Sequence, residues 1–227
     1  MTADVVVGWV HPGQVDAQFM DCMLRMLDHD RSRHGRVAGY AGMHCSANVS
    51  SGRNRLAAWF LDETPADWLL MVDTDMVWQP DDLDRLLANA DPVRAPIVGG
   101  LCFARDYESG LIWPTLFHPE PVDGSTVFLR LDRWPGNTLF EVGGTGAAFL
   151  LVHRAVLEKV RAGGFSRAFP WFQETENPVG RVSEDLTFCA RARAVGAPVH
   201  VHTGVEVGHR KSQVIGVADY LAQVAAP

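Results

Sequence analysis

The chain has 227 residues, 47% hydrophobic and 21% charged, with a formal net charge of −7. That length suits one α/β domain with a full core, and the composition is that of an ordinary globular protein. The acidic balance argues against the broad basic face needed for sequence-independent nucleic-acid binding, though not against a local basic patch.

The N-terminus, "MTADVVVGWV", has no basic n-region or cleavage-type segment, so no signal peptide is expected. No apolar run approaches the roughly 20 residues that cross a bilayer. A soluble, cytoplasmic protein is expected. Cys22, Cys45, Cys102 and Cys189 lie far apart with no C-x-x-C spacing. That argues for free thiols in a reducing compartment and against a structural zinc.

Along the chain, "DVVVGWV" at 4–10 reads as a buried strand ending in the loop signal His11-Pro12-Gly13. Val15, Phe19, Met23 and Leu27 then recur at helical spacing, and a short strand is expected near 36–41. "SSGRNRLAAWFLDE" (50–63) opens on serine caps and carries Leu56, Ala57, Phe60 and Leu61 on one face, which predicts a helix. "WLLMVD" (68–73) is the next strand, and Pro80 with the acids after it opens a helix. "APIVGGLCFA" (95–104) is again a buried strand. Residues 105–140 are rich in Pro, Trp, Gly and Asp, with one alternating strand at 127–133. Strand then helix return at 145–160, and 163–182 reads as an aromatic loop. A helix over 183–196 stops at Gly196, 197–209 alternates as a strand does, and 214–225 is expected to form a closing helix. The alternation predicts a mostly parallel sheet covered on both faces by helices, with a small antiparallel extension, in a single domain. Its halves would be about 4–104 and 105–211, with a tail at 212–227.

Three places concentrate chemistry. Asp73 and Asp75 follow an apolar strand, where ligands of open α/β sheets bind. Two adjacent carboxylates need a positive partner, and a divalent cation bridging to phosphate oxygens would supply it. About one chance D-x-D is expected in a chain of this size, so position, not the motif alone, carries the signal. Glu184 and Asp185 open a helix, where the macrodipole alone would favour acids. The functional alternative is a general base whose ionised form the helix end favours, with one acid facing substrate and its neighbour facing elsewhere. His209 follows the last strand beside Arg210 and Lys211. It is either a structural histidine or a metal ligand at a diphosphate site.

In this order the signals resemble the glycosyltransferases of the GT-A fold, especially the compact family-2-like enzymes. The matching stretches are "WVHPGQVD" (9–16), "SGRNRLA" (51–57), "VDTD" (72–75), "VGGTGAAFL" (142–150), "SEDLTFCARARAVG" (183–196) and "VEVGH" (205–209), which span nearly the whole chain. The resemblance implies a nucleotide-sugar donor, UDP-sugars foremost, and a divalent metal, Mn²⁺ or Mg²⁺. It places Asp73, Asp75 and His209 at the metal, Asp73 through the ribose or a metal-bound water. His11, Pro12, Gly13 and Asp16 would line the nucleoside pocket, Arg53 and Asn54 the base or phosphates, and Arg210 and Lys211 the diphosphate. Gly143 and Gly144 would let the backbone approach the sugar, unless they are a plain strand-entry turn. Asp185 would be the base and Glu184 would hold the acceptor or backbone. Trp113, Trp134, Trp171 and Phe172 are candidate ring platforms or packing residues.

The "HPG" loop departs from the usual Tyr-Asn or Arg-Asn ending, and 105–140 and 163–182 match no acceptor class. The compact form is similar to glycosyltransferases encoded by phages of GC-rich hosts, whose acceptor can be a virion protein or a hydroxylated DNA base. Three other readings compete. A haloacid-dehalogenase-type phosphatase would use Asp73 as nucleophile and Asp75 as acid–base, but its motif strand normally comes first. A non-catalytic nucleotide-sugar-binding module would be expected to lack the metal ligands or the acidic pair. A nucleotidyltransferase would favour a basic, Gly-rich first loop, and "HPGQVDAQ" has no basic residue.

Overall fold

The computed structural model describes residues 4–105, 110–211 and 217. The first half alternates as the periodicity predicts: β1 (Val5–His11), α1 (Ala17–Arg33), β2 (Val37–His44), α2 (Val49–Glu63), β3 (Trp68–Asp73), β4 (Met76–Val77), α3 (Asp82–Asn89) and β5 (Ile97–Arg105). The second half is β6 (Ile112–Pro114), β7 (Leu116–Val122), β8 (Ser125–Arg130), β9 (Leu139–Val142), β10 (Gly144–Thr145), β11 (Phe149–His153), α4 (Arg154–Ala162), β12 (Thr175–Asn177), β13 (Gly180–Val182), α5 (Glu184–Ala194) and β14 (Val199–His209). The closing helix expected at 214–225 lies outside the described residues, apart from Val217.

The main sheet runs β2-β1-β3-β11-β5-β14-β4, with β6 on β5 and β9 on β14. β2, β1 and β3 are mutually parallel, and β14 is parallel to β5. β11 inserts between β3 and β5 antiparallel to both. The sheet is therefore mostly parallel with one reversed strand at its centre. The run "FLLVH" announces a buried strand but carries nothing about direction, because a strand buried on both faces is apolar either way.

Alternate residues of these strands feed two cores. Val5, Val7, Leu70, Val72 and Leu151 pack with Phe19, Met23 and Met26 of α1 and Leu83 and Leu86 of α3. Val6, Leu69, Met71, Leu150 and Val201 face Leu56 and Phe60 of α2, Leu157 of α4 and Phe188 of α5. α2 lies so close to β1 that a Cβ on Gly8 would stand 2.6 Å from Leu56, which is why glycine is kept in that apolar strand.

The middle of the chain holds more strand than its composition suggests. β10, β7 and β8 form a second sheet, and β12 and β13 form a hairpin inside the segment expected to be loop. Pro119 and Pro121 hide β7, because proline cannot donate to a ladder. They are tolerated by geometry. Phe117 offers its carbonyl to Gly143 N, on the edge away from β8. Pro119 and Pro121, two and four residues on, present their missing N–H groups to that same edge, where pairing with β10 has already ended.

Arg154, at the start of α4, closes the far end of α2. It donates to the carbonyls of Ala66, Leu61, Phe60 and Thr64 and stacks 4.6 Å over the Phe60 ring. α2 has no basic residue in its last turn, so this distant arginine satisfies the carbonyls that a helix leaves open. Arg154→Leu is expected to cost about 2–3 kcal/mol, since hydrogen bonds to a charged group are each worth about 1.5–3 kcal/mol and not all are lost independently. Denaturant unfolding measures it; a loss below about 0.5 kcal/mol would show the cap to be dispensable.

Candidate functional site

β1, β2, β3, β5 and β14 all direct their carboxyl ends to one edge of the sheet, the edge where open α/β sheets bind ligands. After Asp73 the chain turns into β4, which pairs with the end of β14 so that His209 lies opposite Met76. The Arg210 amide donates to the Asp75 carbonyl at 2.8 Å. This pairing brings two distant motifs into one place.

At the centre lies Arg53, only 3% exposed. Asn48 caps α2 by accepting from Ser51 N, and Arg53 projects from the next turn. Its Nη2 donates to Asp73 Oδ1 at 2.7 Å, and its Nη1 to Glu184 Oε1 at 2.8 Å and to Asp185 Oδ1. One guanidinium thus faces three carboxylates, an excess of two negative charges if all are ionised. Burial alone would lower the Arg53 pKa, but Asp185, Asp73 and Glu184 outweigh it and hold the arginine charged. Burial pushes Asp185 up to about 7; Arg53 opposes this, while Glu184 and Asp73 add to it.

Two expectations are corrected here. The helix end does not depress Asp185: its contribution of up to about 1 kcal/mol is smaller than burial beside two like charges. Nor do Glu184 and Asp185 diverge. In the first turn of α5, beyond the Ser183 cap, both reach the same arginine nitrogen. Arg53, expected at the base or phosphates, is bonded to the three acids.

The second aspartate has a separate set of partners. His209 Nδ1 lies 2.9 Å from the Phe103 carbonyl and therefore donates to it, which aims Nε2 at Asp75 Oδ2, 2.9 Å away. Lys211 Nζ reaches the same oxygen at 3.1 Å. Against the effect of burial, His209 and Lys211 hold the Asp75 pKa below its usual value, and Asp75 with the Phe103 carbonyl raises that of His209. Asp73 is occupied by Arg53, and among the described residues no three His, Cys, Asp or Glu side chains converge as a metal-binding group. Of the expected set Asp73, Asp75 and His209, the structure brings Asp75 and His209 into direct contact. That pair does fit a divalent ion. Nδ1–H pinned to a carbonyl leaves Nε2 for ligation, and one carboxylate with few protein ligands suits a cation completed by phosphate and water.

The first loop is partly self-satisfied. His11 Nδ1 accepts from Gly13 N at 3.1 Å, and Gly13 holds φ of +119°, a glycine conformation. Pro12 and Gly13 are exposed. Asp16 caps α1 through Gln18 N and pairs with Arg210 Nε at 2.7 Å, and Arg210 also donates to the Gln18 side chain. Asp16 and Arg210 tie the β1 loop to the end of β14. Asn54 is bonded to backbone on both sides of its amide. Its amide donates to Ser50 O and Phe172 O and accepts from Trp171 N, so it anchors the 171–172 turn. Trp171 and Phe172 are buried packing residues, while Trp113 and Trp134 are half-buried.

Gly143 and Gly144 are close-approach positions, but protein fills the space. A Cβ would stand 2.1 Å from Pro119 at Gly143 and 2.8 Å from Leu186 at Gly144. The glycine that borders the acids is Gly146, whose Cβ position lies 3.7 Å from both Asp185 Oδ2 and Thr115. Sequence reasoning missed it, although it belongs to the same "GGTG" run, and missed Phe103, whose carbonyl acts through the backbone. Beside Glu184 opens a cleft of about 690 Å³, walled by Ser46, Asn48 and Ser50 before and within α2 and by Phe169 and Gln173 opposite.

No family model matches the chain, and no curated protein matches it. Solved structures do. Over 92% of this chain and 86% of the other, it is similar to A197 from STIV, with a TM-score of 0.61 at 17% identity. It also matches GalNAc-T7, solved with UDP, GalNAc and Mn²⁺, with a TM-score of 0.55 at 11% identity, over 92% of this chain and 44% of that one. A glycosyltransferase involved in glycosylation of the major capsid of PBCV-1 aligns over 92% of this chain and 95% of that one, with a TM-score of 0.49 at 13% identity. The fold is of the GT-A type.

Arg53→Met should destabilise the protein by about 3–5 kcal/mol near neutral pH, the usual cost of stripping the partner from buried charges. A carboxyl whose folded pKa is raised, as for Asp185, stabilises the fold below its unfolded value of 3.8, and that stabilisation is lost as pH rises through about 7. Without Arg53 this upward shift should grow, so the deficit should shrink on going from pH 8 to pH 5. Urea unfolding across that range measures it, and a deficit independent of pH would contradict the cluster's electrostatics.

Proposed function

We propose that the chain is a metal-dependent glycosyltransferase that moves a sugar from a nucleotide-sugar donor, with UDP-sugars favoured, to an acceptor hydroxyl. The observation that carries this reading is the Arg53 cluster, which holds Asp73 and the Asp185 base beside the Asp75–His209 pair on a GT-A fold. In this reading the single domain divides into a nucleotide half, about residues 4–104, and an acceptor half, about 105–211. A neighbouring fold binds UDP and Mn²⁺, which supports the choice of donor and cation. The phosphatase alternative loses its nucleophile: Asp73 is ion-paired to a buried arginine, and Lys159 sits on α4 without a bond to the site.

Asp75 and His209 Nε2 would hold the cation, Mn²⁺ or Mg²⁺, which when bound neutralises the diphosphate as it leaves. Lys211, bonded to the same carboxylate, would pair with a phosphate oxygen. Asp73 would hold the ribose, with Arg53 fixing its rotamer. Asp185 takes the acceptor hydroxyl proton as the acceptor oxygen bonds to the anomeric carbon and the bond to diphosphate breaks. A pKa near 7 suits a general base, because such a group is substantially ionised at neutral pH yet basic enough to accept the proton. Glu184, on the same arginine and lining the cleft, would hold the acceptor.

Release of nucleoside diphosphate from each nucleotide sugar, with and without acceptor, tests the reading. Asp185→Asn should keep donor binding and lose about 10²–10⁴-fold in transfer. Wild-type kcat/KM should fall as pH drops below about 7, where Asp185 takes up its proton. Near-wild-type transfer by Asp185→Asn would move the base elsewhere. Release of diphosphate from none of the donors would remove the transferase reading.

A further inference from the structure

We propose that Arg130 and Trp113, on the antiparallel extension, form an acceptor subsite for a sugar bearing an oxyanion, either a carboxylate or a phosphate. The proposal rests on the transferase reading and specifies its acceptor. Arg130 is exposed and its guanidinium lies 5.5 Å from the Trp113 ring centroid. Among the described residues it has no carboxylate partner. Other arginines at or near the reaction centre are occupied: Arg53 by three acids, Arg210 by Asp16, Arg193 by Glu141.

The pair is linked to the base through intervening neighbours. Trp113 is opposite Ala104 on β5, next to Phe103, whose carbonyl orients His209. Thr115 follows two residues later, at the bend between β6 and β7. Its side chain lies 3.7 Å from the Cβ position of Gly146, which is itself 3.7 Å from Asp185 Oδ2. Arg130 lies on β8, where it pairs with Phe117.

The chemistry follows from the stack. An arginine lying on an aromatic ring keeps the N–H edges of its planar fork free, and that fork matches carboxylate or phosphate in two parallel hydrogen bonds. The remaining indole surface suits the apolar face of a pyranose. The acids around Arg53 repel an anion placed next to Asp185. An anionic acceptor would therefore present its neutral hydroxyl to the base and its charge to a cation farther out, the place Arg130 occupies.

Titration of the indole fluorescence with methyl β-glucuronide, glucose 6-phosphate and the neutral methyl β-glucoside tests the subsite. Wild type should bind one or both anionic sugars at least about tenfold more tightly than the neutral one; the two anionic arms separate carboxylate from phosphate recognition. Arg130→Gln should abolish the preference while leaving UDP–Mn²⁺ affinity unchanged, which also reports that the variant is folded. Equal binding of neutral and anionic sugars by wild type, or a preference that survives in Arg130→Gln, overturns the proposal. Nucleoside diphosphate release on the same samples separates the two readings. Turnover without an anion preference rejects this subsite alone, and a preference without turnover rejects the transferase reading and retains the anion site.

Discussion

A single buried guanidinium facing three carboxylates organises this molecule. Arg53 comes from α2, Asp73 from the end of β3, and Glu184 and Asp185 from the start of α5. Without that cation, three acids would have to be buried against one another, and each would be protonated or pushed apart. With it, two helix starts and a strand end are held at one point. The arginine is in turn backed by the Phe172 ring, 5.8 Å below it, which stacks on Phe188. Burial, with the nearby charges of Glu184 and Asp73 adding to it against Arg53, is what raises the Asp185 pKa.

The two aspartates of "VDTD" illustrate how adjacency in sequence separates in function. Asp73 ends the strand and points inward to Arg53. Asp75, past the turn, faces outward to His209 and Lys211. The divergence follows from the short pairing of β4 with β14, which carries Asp75 away from the sheet's centre and against the last strand. In the proposed function, a cation at Asp75 and a base at Asp185 would be distinct sites, linked through the Arg53–Asp73 ion pair.

Much of this was legible in the sequence. Apolar runs located β1, β3, β5 and β11 and alternation located β14, while the acids at a strand end, the acids opening a helix and the histidine after the last strand pointed to the candidate site. What was not legible depends on long-range contacts. A centrally buried strand is apolar in either direction, so the reversal of β11 left no trace. The proline-rich composition of 105–140 concealed β7, because which edge Pro119 and Pro121 present is a tertiary property. Arg53 and Asn54 read as ligand contacts, since the "RN" pair shows neither the acids nor the 171–172 backbone that satisfy them. The Asp185 pKa was misjudged in sign because the helix end is visible in the sequence, whereas burial beside Glu184 and Asp73 is not. Gly143 and Gly144 were candidates for close backbone approach to a sugar or for a plain strand-entry turn, and that Pro119 and Leu186 crowd them while Gly146 borders the acids required the packing.

Central to the proposed function is a divalent cation held by Asp75 and His209 beside the base, through which the diphosphate of a donor binds. Calorimetric titration of UDP in Mn²⁺ and in EDTA tests this most directly, with wild type and His209→Ala in parallel. Wild type should bind UDP at least about tenfold more tightly with Mn²⁺, and the difference should disappear in a folded His209→Ala protein. Equal affinity in Mn²⁺ and EDTA, or a Mn²⁺ effect untouched by His209→Ala, would contradict it.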